Sequence, residues 1–311
     1  MKPLSEPLSE VLALLKPRTY VSPGLHAGGD WAVQFPAHEG IKFNAVTQGA
    51  CWVAVEGGGV PCRLEQGDCF LLTSGRPFVL ARSLSSPKTD AREIYTATCD
   101  SIATCNGGGD FFLVGARFEF EGEHVGTLFG NLPPFVPVRD STEEAPVLRW
   151  ALDRFAAEIR GGKPGRSLIA EHLAHIMLIQ VLRLHLAAKD SLGAGWLFAL
   201  ADPQLSTALT AMHADIARRW TIEDLGRTAG MSRSTFAKKF KQALGASPME
   251  YLTHWRMRVA GDRLRHTSGS IAAIANAIGY ESEAAFSTAF KKAMGRPPLH
   301  FRRMDLNESR A

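Results

Sequence analysis

The sequence predicts an α+β chain of two domains, a β-rich first part with accessory helices and an all-α second part. Three observations predict it. Between Trp31 and Gly122 short apolar runs alternate with glycine-marked turns. From Thr142 the apolar spacing turns helical, and from Thr221 to Arg303 one helical unit is written twice. At 311 residues the chain has ample length for two cores.

The chain opens on a helix candidate, Leu4 to Lys16. It lacks a signal-peptide layout, because acidic Glu6 and Glu10 precede a short apolar run. No run reads as the roughly 18 apolar residues that span a bilayer, so a cytoplasmic location without membrane contact is expected. Mean hydropathy of −0.05 with 45% hydrophobic residues fits an ordinary soluble protein. The net charge of +4 is uneven: residues 201–311 hold 17 Lys+Arg against 10 Asp+Glu, whereas residues 1–200 hold 18 against 21. A basic second half favours a phosphate-rich partner.

Strand candidates follow: WAVQF, IKFNAVTQG, CWVAVEG, PCRLEQGDCFLLTSGRPFVLA and FFLVGARFEFEG. Gly57-Gly58-Gly59, Gly67-Asp68 and Gly75-Arg76-Pro77 separate or interrupt them, as in a β-sandwich or barrel. All five cysteines lie between Cys51 and Cys105, and their odd number argues against a disulfide scaffold. Cys99 and Cys105 flank a stretch that runs into Asn106 and three glycines, which reads as a flexible loop. Two thiols there form a candidate redox pair; incidental thiols are the alternative. His26, His38 and His124 are scattered, and His172 and His175 have no nearby carboxylate or thiolate partners, so neither a metal nor another cofactor is expected.

TEEAPVLRWALDRFAAEIR places Leu148, Leu152, Phe155 and Ile159 on one stripe, and Gly161 to Gly165 breaks it. SLIAEHLAHIMLIQVLRLHLAA is so apolar from Ile176 to Leu182 that burial on more than one side is expected. These helices can pack on the sheet or pair with a second subunit as a homodimer. Lys189 to Gly195 has linker composition, and Pro203 stands near the first helix of the second domain.

The repeat then begins. TIEDLGRTAGMSRSTFAKKFKQALGASP and SIAAIANAIGYESEAAFSTAFKKAMGRPP align at an offset of 49, and of 50 after one inserted residue. In each copy a polar N-cap (Thr221, Ser270) opens a short helix, and a glycine (Gly230, Gly279) ends it. A serine (Ser232, Ser282) restarts the chain into a second helix with phenylalanines four apart (Phe236 and Phe240, Phe286 and Phe290). This is helix-turn-helix punctuation, whose second helix can enter the DNA major groove. Ser247, Pro248 and Glu250 open a helix between the copies. It runs to His266, roughly 27 Å at about 1.5 Å per residue, comparable with the roughly 34 Å between successive major-groove faces.

WTIEDLGRTAGMSRSTFAKKFKQALGASPMEYLTHWRMRVAGDRLR with IAAIANAIGYESEAAFSTAFKKAMGRPPLHFRR resembles the DNA-binding domain of the AraC/XylS family of bacterial regulators. GIKFNAVTQGACWVAVEG and RLEQGDCFLLTSGRPFVL resemble a cupin barrel of the kind that serves as sensor in one branch of that family. The expected layout is a cupin-like sensor domain over 1–140, a helical packing or dimerisation segment over 141–190, a linker over 191–204 and the DNA-binding domain over 205–306. The helix-turn-helices fall at 221–244 and 270–294.

With the phenylalanines inward, spacing and resemblance turn Arg233, Ser234, Ala237 and Lys238 toward bases, Arg233 alternatively toward phosphate. The matching second face is Glu283, Ala284, Ser287 and Thr288, which is expected to position more than to read. Lys239, Lys241, Lys291, Lys292 and Arg296 are phosphate candidates. The expected function is a sequence-specific transcription regulator responding to a small-molecule or redox signal. The resemblance implies promoter DNA and RNA polymerase as partners, activation as the usual outcome, and an effector of unknown identity. A cupin-type enzyme with an accessory DNA-binding module and an effector-independent DNA-binding protein are the alternatives.

Overall fold

Alternating apolar side chains on short strands need a second layer to cover them, and the first domain supplies two facing sheets. The computed structural model describes residues 6–96, 102–120, 129, 132–139, 146–187 and 195–308. Two compact units divide the chain: Pro17–Ser191, and Met1–Lys16 together with Leu192–Ala311.

In the first unit β1 (Arg18–Ala27), β2 (Ala32–Phe35), β3 (Ile41–Gln48), β4 (Ala50–Val55), β5 (Cys62–Glu65), β6 (Cys69–Leu72), β7 (Phe78–Ala81), β8 (Lys88–Asp90), β9 (Ile102–Cys105), β10 (Phe111–Glu119) and β11 (Phe135–Val138) form the sheets, with α2 (Ala91–Thr96) between β8 and β9; α1 (Pro7–Leu15) precedes them in the chain and belongs to the other unit. The sheet orders are β11-β6-β3-β10-β1-β9 and β5-β4-β7-β2-β8. Leu25, Val46, Phe70, Leu72, Phe111 and Leu113 from one sheet meet Val33, Val53, Leu64, Phe78 and Leu80 from the other. Trp31 packs on Phe111 at 4.6 Å, and Phe35 stacks on Phe78 at 4.5 Å.

Strand β1 is absent from the sequence expectation because Pro23-Gly24 reads as a turn. The structure absorbs that dipeptide as a register shift between Ser22 and Leu25, so one strand continues across it. Gly24 fits there because an added Cβ would stand 2.7 Å from the Phe112 ring. The expected loop around Cys105 is also corrected. Ile102–Cys105 is strand β9, paired in parallel with Gly24–Ala27, because β1 leaves that edge open. Cys105 is buried, and burial raises its thiol pKa. Cys99 lies outside the described residues.

Helices α3 (Pro146–Arg160) and α4 (Arg166–Ala187) form a hairpin on the outer face of the larger sheet. Leu148, Leu152, Phe155 and Ile159 are buried, as their spacing predicts. Of the run Ile176–Leu182, expected to be buried on more than one side, Met177, Leu178, Val181 and Leu182 are buried. Ile176 stays 38% exposed because α3 and the sheet cover only one side of α4. By length and composition α4 is long and apolar enough to cross a membrane, yet eight of its residues are buried within this unit. His175 bonds Thr19 Oγ1 at 2.9 Å while His172 is exposed, so the two do not converge. Among the described residues no group of three His, Cys, Asp or Glu converges on a metal-sized site.

His38, on the β2–β3 loop, has its imidazole pKa pulled from 6.5 to about 4 by burial and by the positive charge of Lys42 and Arg117. Its folded pKa lies below its unfolded value, so the unfolded chain binds the extra proton first as pH falls. Stability is therefore lost from about pH 6.5 down to about pH 4. His38→Gln is expected to flatten the acid limb of a melting-temperature profile over that window. A profile that superimposes on the parent's would show that His38 does not titrate in this way.

Candidate nucleic-acid interface

Helices α5 (Trp196–Ala201), α6 (Pro203–Ala214), α7 (Ile222–Thr228), α8 (Arg233–Leu244), α9 (Pro248–His266), α10 (Ile271–Ala277), α11 (Glu283–Met294) and α12 (Pro298–Glu308) build the second unit together with α1. Their ends are set by local chemistry. Thr221 with Asp224, and Ser247 with Glu250, form complete capping boxes. Ser232, Ser270 and Ser282 each accept a backbone N–H three residues on. Gly245 and Gly295 close α8 and α11 in the left-handed conformation at φ 75° and 73°.

The two copies match down to ring geometry. Phe236 and Phe240 sit 5.5 Å apart at 56°, and Phe286 and Phe290 sit 5.4 Å apart at 52°. A third ring from the following helix closes each set, Tyr251 on Phe240 at 5.7 Å and Phe301 on Phe290 at 5.3 Å. The repeat thus includes the start of the next helix. The intervening α9 belongs to both cores: Leu252 packs with Leu225, Phe236 and Phe240, while Met257, Ala260 and Leu264 pack with Ile274, Phe286 and Phe290. Its 19 residues span about 28 Å at about 1.5 Å each.

The turn glycines have separate duties. Gly230 takes φ +66° with nothing within 4 Å of an added Cβ. Gly279 takes φ +87°, and a Cβ there would lie 2.3 Å from the Ala217 carbonyl oxygen. Arg256 of α9 grips the same segment, donating from Nε to Ile216 O at 2.8 Å and from Nη2 to Arg218 O at 2.7 Å. Arg219 pairs with Glu281 beside the second turn. Such long-range clamps have no signature in local sequence.

Burying Phe236 and Phe240 turns the opposite side of α8 outward. Arg233, Ser234 and Lys238 are exposed there and Ala237 is half-buried. On α11 Glu283, Ala284 and Thr288 are exposed and Ser287 is half-buried. Thr288 Oγ1 donates to its own helix at Ala284 O, 3.0 Å, which makes the second face poor in free donors. Lys241, Lys291 and Lys292 are exposed and make no hydrogen bond or ion pair, and Arg296 is exposed. Lys239, expected on phosphate, has a partner inside the protein: Nζ lies 2.6 Å from Asp202 Oδ2 and 3.1 Å from Gln204 Oε1. It ties α8 to the start of α6.

Sequence reasoning did not foresee that α1 packs in this unit. Leu8, Val11, Leu12 and Leu15 are buried, and Lys16 Nζ lies 3.1 Å from Asp262 Oδ1 on α9. Glu10 Oε2 lies 2.8 Å from His213 Nδ1, His213 Nε2 lies 2.8 Å from Tyr251 Oη, and Trp196 Nε1 donates to that oxygen at 2.9 Å. The imidazole packs on Trp255 with ring centres 4.2 Å apart and a tilt of 31°. The one available signal was a histidine in register with Leu205, Leu209 and Met212 on the inward face of α6.

Residues 6–187 match the Cupin family, and residues 225–304 match the Helix-turn-helix domain family. A Streptomyces lividans protein described as an AraC-like transcription regulator is 44% identical over 298 residues, covering 96% of this chain and 98% of that protein. The regulator AlkR of Acinetobacter baylyi is 31% identical over 284 residues, covering 88% of this chain and 91% of that protein. A solved AraC-type transcriptional regulator from Chromobacterium violaceum is 31% identical, with 33% of this chain and 92% of that chain covered and a TM-score of 0.32.

Proposed function

The chain belongs to the AraC-like family of transcription regulators, and from that premise we propose a sequence-specific activator whose two helical hairpins engage successive grooves of promoter DNA. The observation that carries this is the doubled arrangement of a buried phenylalanine pair with an exposed polar helix face behind it. In this reading α8 reads bases through Arg233, Ser234 and Lys238, with Ala237 in van der Waals contact. Helix α11, presenting Glu283, Ala284, Ser287 and Thr288, contributes position, and Lys241, Lys291, Lys292 and Arg296 hold phosphate.

The cupin domain receives the signal. A small molecule is favoured over oxidation of Cys99 and Cys105, because burial keeps the Cys105 thiol protonated and a protonated thiol is a poor nucleophile. The protein acts in the cytoplasm, contacts RNA polymerase and catalyses no reaction. It pairs with a second copy over the apolar residues that α3 and α4 leave exposed, Trp150 at 57% and Leu168 at 59% among them.

Selection of binding sites from random duplexes tests the reading, followed by two substitutions on the selected site. Lys238→Ala is expected to relax preference at one base pair by about 1–3 kcal/mol. Lys292→Ala is expected to weaken every duplex alike and to lower the salt slope of log K by about one. Failure to enrich any sequence would favour an effector-independent DNA-binding protein. Equal, sequence-blind losses from both substitutions would remove the division of roles.

A further inference from the structure

The sheet register shows where the barrel interior turns polar. Inward positions of β1, β10 and β3 are apolar where Leu25 pairs with Leu113 and Leu113 with Val46. Two steps along, Ser22 pairs with Gly115 and Gly115 with Asn44. At the next inward row Tyr20 pairs with Arg117 and Arg117 with Lys42, while Lys42 also pairs with Leu72 of β6. Lys42 therefore stands on the inward face at the polar end, with its ammonium 5.3 Å from the Phe35 ring centre and 5.2 Å from that of Phe78.

Lys42 is partly buried yet makes no hydrogen bond or ion pair; every other unpaired lysine among the described residues is exposed. The neighbouring Arg117 is already matched by Glu119 at 2.7 Å and laid over Tyr20. Among the described residues no carboxylate pairs with Lys42, and Glu119 is engaged by Arg117. Burial and the charge of Arg117 lower its pKa from 10.5 to about 8, so a usable fraction of free amine exists near neutral pH. His38 stands edge-on to the same Phe78 ring. Its Nδ1 lies 3.3 Å from the Glu39 carbonyl, a contact that leaves Nε2 as a bare lone pair, and Nε2 is buried without a partner.

We propose that Lys42 is the anchoring amine of a signal site for small aldehydes or ketones, which it captures reversibly as an imine. The nitrogen lone pair forms the C–N bond, the two protons of the free amine pass in turn to the carbonyl oxygen, and the C–O bond breaks as that oxygen leaves as water, which gives C=N. No oxidant or reductant is consumed. The stacked Phe35 and Phe78 rings wall the amine with apolar surface, and the unpartnered His38 Nε2 beside the same Phe78 ring is an acceptor for a proton in transit from nitrogen to oxygen. Only the regulatory meaning rests on the proposed function; the chemistry at Lys42 does not.

The test uses the full chain with benzaldehyde at pH 7, sodium cyanoborohydride to fix any imine as a secondary amine, and peptide mass mapping. Lys42 is expected to be modified at least about tenfold faster than the exposed Lys238 and Lys292, since each unit of pKa lowering raises the free-amine fraction about tenfold. The fraction of Lys42 held as imine at equilibrium, read by its absorbance before reductant is added, is expected to rise with pH and level off above about 8. Lys42→Arg, which keeps the charge, should fold by circular dichroism and lose the benzaldehyde-dependent shift in melting temperature. Labelling of Lys42 no faster than Lys238 and Lys292 would overturn the proposal. So would protection of Lys42 by benzoate with no fixed adduct from benzaldehyde, which would make it a counter-ion site. DNA selection is a separate experiment, so either idea can fail without the other.

Discussion

Gly279→Ala is expected to destabilise the helical unit by about 3 kcal/mol or more, whereas Gly230→Ala, at the equivalent turn, should lose only about 1–2 kcal/mol. Both residues adopt positive φ, and that alone accounts for the smaller loss. Only at Gly279 does the new methyl also meet backbone, the Ala217 carbonyl oxygen at 2.3 Å. That carbonyl cannot retreat freely, because Arg256 holds the oxygens of Ile216 and Arg218 on either side. Relief must come from displacing the second turn, so Gly279→Ala should also weaken DNA binding in proportion to the tilt imposed on α11. Urea denaturation of the two variants side by side checks this, and equal midpoints would show that Ala217 yields easily.

His213→Ala is expected to remove about 3–5 kcal/mol, the largest single loss predicted for a polar residue of this chain. Two penalties coincide. The ring packed between Tyr251 and Trp255 leaves a void, and both Glu10 and the Tyr251 hydroxyl lose their partner in a site where His213 itself is only 5% exposed. Glu10→Gln keeps an acceptor toward Nδ1 and should cost about 1 kcal/mol or less. Denaturation of both variants, followed by tryptophan fluorescence, measures the pair. A His213→Ala protein within about 1 kcal/mol of the parent would mean that α1 adds little to this unit.

What the sequence revealed and what it hid follow from range. The doubled hairpin was legible because each signal acts within four residues: Thr221 on Asp224, Ser247 on Glu250, Phe236 beside Phe240. Its exposed faces follow from burial of the phenylalanines, although Lys239 shows that an outward register does not guarantee a free side chain. Strand β1 was hidden because Pro23 and Gly24 carry the local signature of a turn, and only pairing with β10 and β9 holds the chain extended through them. The placement of α1 was hidden for a stronger reason: Glu10 and His213 are 203 residues apart, and nothing near either names the other. The inward position of Lys42 comes from the register of β3 with β10 and β6, which no local signal encodes.

One helix completing two cores has a consequence for how this unit comes apart. If the first hairpin opens, Leu252 loses its contacts and the N-terminal turns of α9 fray, which undermines the seat of Met257, Ala260 and Leu264 beneath the second. Neither hairpin can melt alone while its twin stays intact. Amide exchange in the two phenylalanine-bearing helices should therefore report a common opening event, and proteolysis should not release either one as a folded fragment.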